Sequence, residues 1–151
     1  MSSAEKNMSE RVSWSTTDIL ATVHRTWGYS ELRPLQEQAI RASLERRDSL
    51  VVMPTGGGKS LCYQVPAELA QRTDVVVSPL ISLMKDQIDG LRECGYPAAA
   101  LYSGMPPDAV RRTEAAIAVG RYRLASSRQS ALITWSPSSI IAMRTAGLAK
   151  S

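Results

Sequence analysis

Apolar positions recur at helical spacing in several stretches of the chain, and short β-branched runs lie between them. Near the N-terminus, Ile19, Leu20 and Val23 share one face of a helix that opens near Ser15 or Thr16 and stops before Gly28. After Pro34, the residues Leu35, Ala39, Ile40 and Leu44 repeat at helical spacing, with Gln36, Glu37 and Arg41 facing elsewhere. Ser49–Met53 is a compact apolar run and predicts a buried strand. A helix is predicted from Lys59, with a kink or a break and restart at Pro66, which lies beyond its first turn. Asp74–Ser78 predicts a second buried strand, Leu80–Glu93 a helix closing near Gly95, and Ala98–Tyr102 a third strand. Pro107–Val119 predicts a helix with Pro107 and Asp108 in its first turn and Gly120 past its end. Tyr122–Leu124 opens a fourth strand.

This alternation of strand and helix predicts an α/β domain, a parallel sheet covered by helices in three layers. There are no internal repeats. Residues 1–14 are polar and read as a flexible N-terminus, and 15–124 carry the domain pattern. From Ala125 the texture changes: residues 125–151 hold seven serines, no acidic residue and no sustained period.

Composition narrows the class. A chain of 151 residues with 44% hydrophobic and 21% charged positions suits one globular domain and excludes global disorder. Its formal charge of +4 would fit a polyanionic partner. However, residues 1–124 hold 15 basic and 14 acidic side chains, so most of the excess belongs to Arg128, Arg144 and Lys150 in the tail. Bulk charge therefore argues little for nucleic acid. With one histidine, His24, and two cysteines, Cys62 and Cys94, without CxxC spacing, no zinc site is expected. Both cysteines read as small buried apolar groups of a reducing compartment. The N-terminal segment lacks the apolar core of a secretory signal, and no apolar run approaches the roughly 18–20 residues of a membrane span. A cytoplasmic location and no membrane partner are the expectation.

The strongest chemical signal is Met53-Pro-Thr-Gly-Gly-Gly-Lys-Ser60, between a predicted strand and a predicted helix. Thr55, Gly56, Gly57 and Gly58 form a loop whose glycines let the backbone approach an anion closely. Successive backbone N–H groups and a helix N-terminus then cradle phosphates. Lys59 would reach the β- and γ-phosphates, and the Ser60 hydroxyl would ligate Mg²⁺. The strict phosphate-loop pattern has glycine where Met53 stands.

The segment MPTGGGKSLCYQVPA resembles the nucleotide-binding motif of RecQ-family helicases of superfamily 2, a family whose loop also lacks that first glycine. Upstream, Trp27-Gly-Tyr-Ser-Glu-Leu-Arg-Pro-Leu-Gln36 resembles the family's adenine-recognition motif, with Trp27 where a phenylalanine is usual. The resemblance implies that Tyr29 and Arg33 flank the base and that Gln36 bonds its edge. Downstream, Val75–Gln87 is similar to the family's next motif, a strand-to-helix turn that contacts the single-stranded DNA backbone. By that resemblance Ser78, Ser82 and Lys85 face phosphates. Leu101-Tyr-Ser-Gly104 also fits the family. The matches cover roughly Asp18 to Leu124 and imply an incomplete P-loop RecA-like domain with ATP and Mg²⁺ as cofactors, and with single-stranded DNA contact weak or lost.

The resemblance also has an edge. The family's acidic DEAH motif would follow the strand that starts at Tyr122, yet no Asp or Glu follows Glu114. The second RecA-like lobe, which supplies arginine fingers, has no counterpart here. A permitted set of codons for Ala125–Leu132 reads, in another frame, as LVAPERL, which resembles the segment expected in the family after Leu124. The tail 125–151 is accordingly expected to be out-of-frame translation with no selected structure; a genuine serine-rich regulatory tail is the competing reading. The functional expectation is a truncated ATP-binding lobe of a RecQ-like 3′-to-5′ DNA helicase. Lys59 remains but the catalytic acid is missing, so neither unwinding nor appreciable ATP hydrolysis is expected. Two alternatives stand beside it: a small P-loop kinase acting on a metabolite, and a relic too incomplete to fold stably.

Overall fold

The structure is a computed structural model that describes residues 13–54, 56–78 and 81–127, together with the backbone of 140–142. Its elements run in chain order α1 (Thr16–Trp27), α2 (Gln36–Leu44), α3 (Leu61–Leu69), β1 (Asp74–Val77), α4 (Ile81–Glu93), β2 (Ala98–Leu101), α5 (Pro107–Ala118), β3 (Leu124–Ser127) and β4 (Ile140–Ala142). The four strands form one parallel sheet in the order β2-β3-β1-β4.

Strand periodicity builds the layers. Asp74 pairs with Leu124 and Val75 with Ala125, so alternate residues of β1 and β3 point to opposite faces. On one face Val76, Leu124 and Ala98 join Tyr63 of α3, Ile88 and Leu91 of α4, and Tyr96. On the other, Val75 and Ala125 meet Ile117 of α5, with Leu101 and Tyr122 packed alongside. Helices thus cover both faces, which is the three-layer α/β arrangement expected from the alternation. A further cluster of Ile19, Val23, Ile40, Leu61 and Val65 ties α1 and α2 to α3. This cluster sets the two N-terminal helices against the helix that follows the glycine-rich loop.

Local chemistry accounts for most boundaries. Ser15 caps α1: its side chain accepts from the Asp18 N–H at 3.1 Å, and the Asp18 carboxylate accepts from the Ser15 N–H at 2.9 Å. Gly28, at φ 76°, closes the same helix in the left-handed conformation that glycine adopts without penalty.

Four expectations fail. Ser49–Met53 forms no strand: Leu50 is 93% and Val52 77% exposed, and no described residue pairs with the run. A strand needs a neighbour for its ladder, and none of the described strands pairs with this run. Pro66 neither breaks nor restarts its helix, because α3 runs continuously through it. Val65, Pro66 and Ala67 are all buried there, so tertiary packing outweighs the lost backbone hydrogen bond. Leu35 and Gln36 exchange roles: Leu35 sits at φ 71° before the helix and is 49% exposed, whereas Gln36 is buried at its first position. Starting the helical phase at Gln36 aligns it with Ala39 and Ile40 on the inner face. Finally, the cysteines are not both buried. Cys62 is half-buried and Cys94 is exposed after the end of α4; both are free thiols.

The expected boundary at Leu124 falls at the first residue of β3. Ala125, Ser126 and Ser127 continue that strand in the middle of the sheet and are buried. Ile140–Ala142 pairs with β1 on its other side.

Candidate functional site

The glycine-rich loop hangs between the extended segment ending at Pro54 and the start of α3. Gly56 and Gly58 both lie at φ 77°, a left-handed backbone that disfavours a side chain. Between them, the Gly57 N–H bonds the Pro54 carbonyl at 2.9 Å, and a Cβ on Gly57 would lie 2.8 Å from that same oxygen. The three glycines are therefore required by the geometry of this turn. Thr55 lies outside the described residues.

Two side chains from the upstream motif hold the loop from outside. Arg33 Nη1 donates to the Gly56 carbonyl. Gln36 Nε2 donates to the Gly58 carbonyl at 2.8 Å, while Gln36 Oε1 accepts from the Arg33 N–H at 2.7 Å. Gln36 is only 2% exposed, so its carboxamide is a buried brace whose two ends are both satisfied. The burial of Gln36 is what the pattern of apolar positions missed. The signal was nevertheless present in the motif, where Gln36 stands 17 residues before Met53 in the segment that resembles the adenine-recognition motif. Tyr29 sits on the turn after α1 with 55% of its surface exposed, an open aromatic face beside the brace in sequence. Trp27 instead packs against Tyr96, ring centroids 5.6 Å apart.

Lys59 folds back on its own loop, Nζ donating to the Met53 carbonyl at 3.2 Å and to the Pro54 carbonyl at 2.9 Å. Ser60 precedes the first residue of α3, one turn before Tyr63. Burial pushes the Tyr63 phenol up from its ordinary value, and the Ser60 side chain opposes the shift. Burial likewise raises the Cys62 thiol, with the nearby Lys59 charge pulling the other way. Carbonyls of Met53, Pro54, Gly56 and Gly58 are thus committed to Lys59, Arg33 and Gln36. With a lysine and a hydroxyl at a helix start, the donor set fits a nucleotide's phosphates and a hard cation.

The three residues expected to face DNA sit at the carboxyl end of β1 and on α4. Ser78 follows β1, is 7% exposed, and its N–H bonds the Ser127 carbonyl at 3.0 Å. Ser82 and Lys85 are exposed on the first turns of α4. Lys85 Nζ stands 4.5 Å from the centre of the Tyr102 ring, a cation–π contact that joins α4 to the turn after β2. The structure brings Arg33, Gln36, Lys59 and Ser60 together around the loop; Ser82 and Lys85 form a separate group on α4.

A family model for the DEAD/DEAH box helicases matches residues 33–134. The chain belongs to the DEAD/DEAH box helicase family. Within that family its sequence is similar to RecQ helicases. It is 52% identical over 81 residues to the ATP-dependent DNA helicase RecQ of Synechocystis sp., covering 54% of this chain and 17% of the relative. It is 44% identical over 99 residues to the RecQ helicase of Bacillus subtilis, covering 65% and 17%. A putative ATP-dependent DNA helicase Q1 of Caenorhabditis briggsae is 48% identical over 94 residues, covering 62% and 15%. The chain therefore spans about a sixth of the length of these relatives. Among solved structures, a hypothetical ATP-dependent RNA helicase from Sulfolobus tokodaii superposes over 77% of this chain and 35% of its own, with a TM-score of 0.60 at 22% identity. The helicase MrfA bound to DNA superposes over 76% of this chain and 17% of its own, with a TM-score of 0.62 at 19% identity. These two show the fold, a RecA-like helicase domain.

Among the described residues, no group of three His, Cys, Asp or Glu side chains could hold a metal ion. No described helix is long and apolar enough to cross a membrane.

Proposed function

We propose that this chain is a nucleotide-binding portion of a RecQ-like DNA helicase lobe, and that it binds ATP with Mg²⁺ without turning it over. The observation that carries the reading is the braced loop: Arg33 and Gln36 fix the carbonyls of Gly56 and Gly58 at the start of α3. On this reading the amides of Gly56–Ser60 and the Lys59 ammonium hold the phosphates, and the Ser60 hydroxyl holds the cation. Tyr29 and Arg33 flank the base; for Gln36 to bond its edge, as the family resemblance implies, its carboxamide must leave the Gly58 carbonyl and the Arg33 N–H that hold it buried in this structure. Bound Mg²⁺ would neutralise charge on the phosphates. Hydrolysis also needs a carboxylate to orient the attacking water, and no acidic residue follows Glu114 in this chain. Ser82 and Lys85 supply a hydroxyl and a cation suited to sequence-independent contact with single-stranded DNA. A cytoplasmic setting is consistent with two free thiols, Cys62 and Cys94. We take residues 125–151 to be out of frame; the coding sequence beyond codon 124 tests that directly.

Titration of a fluorescent ATP analogue in the presence of Mg²⁺ tests the binding claim. Wild-type chain is expected to bind, and Lys59→Ala to weaken binding by about tenfold or more, as loss of a charge-assisted contact of about 1.5–3 kcal/mol requires. Equal affinity in the two proteins would overturn the assignment. DNA-stimulated ATP hydrolysis that Lys59→Ala abolishes would overturn the claim of no turnover.

A further inference from the structure

Helix α2 begins without the kind of cap that opens α1. Leu35 stands at its N-cap position at φ 71°, a left-handed backbone that a leucine adopts only at a cost, and its side chain offers the first turn no hydrogen bond. The helix start thus does little by itself to fix the turn that carries Gln36. A contact from further away does. Arg41 engages all three of its guanidinium nitrogens at the junction of α1 and α2. Its Nε and Nη2 donate to Glu37 Oε1 at 2.9 and 2.8 Å, Nη2 also to Thr16 Oγ1 at 2.8 Å, and Nη1 to the Trp14 carbonyl at 2.8 Å. The Thr16 hydroxyl donates in turn to Glu37 Oε1 at 2.8 Å, which closes a ring between the first turns of the two helices. Arg41 and Glu37 are 34% and 37% exposed, so as an ion pair on one helix they would add little to stability. The planar fork, anchored on a second helix and on a backbone carbonyl, instead fixes geometry. What it fixes is Glu37, the neighbour of Gln36, whose carboxamide reaches the Gly58 carbonyl.

We infer that Arg41 is a positioning residue for base recognition: its clasp on Trp14, Thr16 and Glu37 sets the first turn of α2, and through that turn the placement of Gln36. The inference deepens the nucleotide-binding reading and rests on it. On that reading Arg41 touches neither phosphate nor base, and its loss leaves Lys59 and Ser60 in place. Adenine presents a donor beside an acceptor on the edge where guanine presents two acceptors. A carboxamide turned to the base from a fixed helix start meets adenine with both its groups. One carried on a loose turn can rotate, offer its N–H to guanine instead, and lose the distinction.

The test uses the full chain with Mg²⁺ and fluorescent analogues of ATP and GTP. Wild type is expected to favour ATP by about fivefold or more, the effect of one hydrogen bond. Arg41→Met should bring the ratio of the two affinities to within about twofold of one. Thr16→Val frees Glu37 from α1 but keeps the ion pair within α2; it should move the ratio the same way, and the double variant should go no further than Arg41→Met. Arg41→Lys keeps the charge without the fork and should lose as much as Arg41→Met. A wild-type ratio in Arg41→Met or in Arg41→Lys overturns the inference. So does an equal loss of affinity for both analogues, which is what a merely stabilising contact would give. A second measurement needs no ligand. The Ala39 N–H bonds the Leu35 carbonyl at 3.1 Å, and its exchange should quicken in Arg41→Met and in Thr16→Val; unchanged exchange also overturns the inference. If wild type shows no preference for ATP, or binds its analogue no better than Lys59→Ala, the base or nucleotide reading falls on that comparison, and the exchange result alone decides whether Arg41 positions the first turn of α2.

Discussion

Replacing Gly58 by alanine probes the brace on which the candidate site depends. Two costs meet at this residue. Its φ of 77° places any side chain in the left-handed region, at about 1–2 kcal/mol. The new Cβ would also lie 2.4 Å from Gln36 Nε2, far inside contact distance. A flexible side-chain end would ordinarily swing away. Gln36 is different: it is 2% exposed, its Oε1 is held by the Arg33 N–H, and its Nε2 by the Gly58 carbonyl. Moving it leaves buried polar atoms without partners, about 1–3 kcal/mol more. Gly58→Ala should therefore destabilise the chain by about 2–5 kcal/mol in urea denaturation and weaken binding of the ATP analogue. In Gln36→Ala the Cβ has room, and only the backbone cost remains. The double variant should thus be less destabilised than the sum of the singles, by about 1 kcal/mol or more. Strict additivity, or a single variant within about 0.5 kcal/mol of wild type, would refute the brace.

Other outcomes follow from particular side chains. The Ser126 hydroxyl is buried in β3 without a hydrogen-bond partner, so Ser126→Ala should raise stability by about 1 kcal/mol; a loss in the same urea titration would show that the hydroxyl is satisfied. Asp74 is fully buried beside Arg72, whose Nε and Nη2 bond its two oxygens at 2.7 and 3.2 Å. Burial pushes its carboxyl up from the ordinary aspartate value, against the opposing pull of Arg72. The folded state then holds this proton more tightly than the unfolded state. The Asp74 contribution should fall as pH rises from the ordinary value through the raised one, and level off above it. Stability measured across that window in wild type and Asp74→Asn should show the slope in wild type alone. A contribution rising with pH would mean the ion pair with Arg72 outweighs burial.

Much of this architecture is written locally. The Ser15–Asp18 capping box, the closing Gly28, and the β-branched run of β1 each act within a few residues, and their elements appear where the pattern places them. The loop Gly56–Ser60 was legible for a related reason, since anion binding demands glycines, a lysine and a hydroxyl in a set order. The same order of residues, with the motif upstream, pointed to the helicase family that residues 33–134 match.

Contacts distant in sequence decided the rest. Whether Ser49–Met53 becomes a strand depends on a neighbour for its hydrogen bonds, and no described strand pairs with it. Whether Pro66 breaks a helix depends on what buries it, and the packing around α3 keeps the helix whole. The exchange between Leu35 and Gln36 turns on one backbone angle and on a carbonyl 22 residues away, which an amide can satisfy and a leucine cannot. Apolar periodicity measures the affinity of each residue for water. It carries no record of which backbone group, elsewhere in the chain, will need a buried partner.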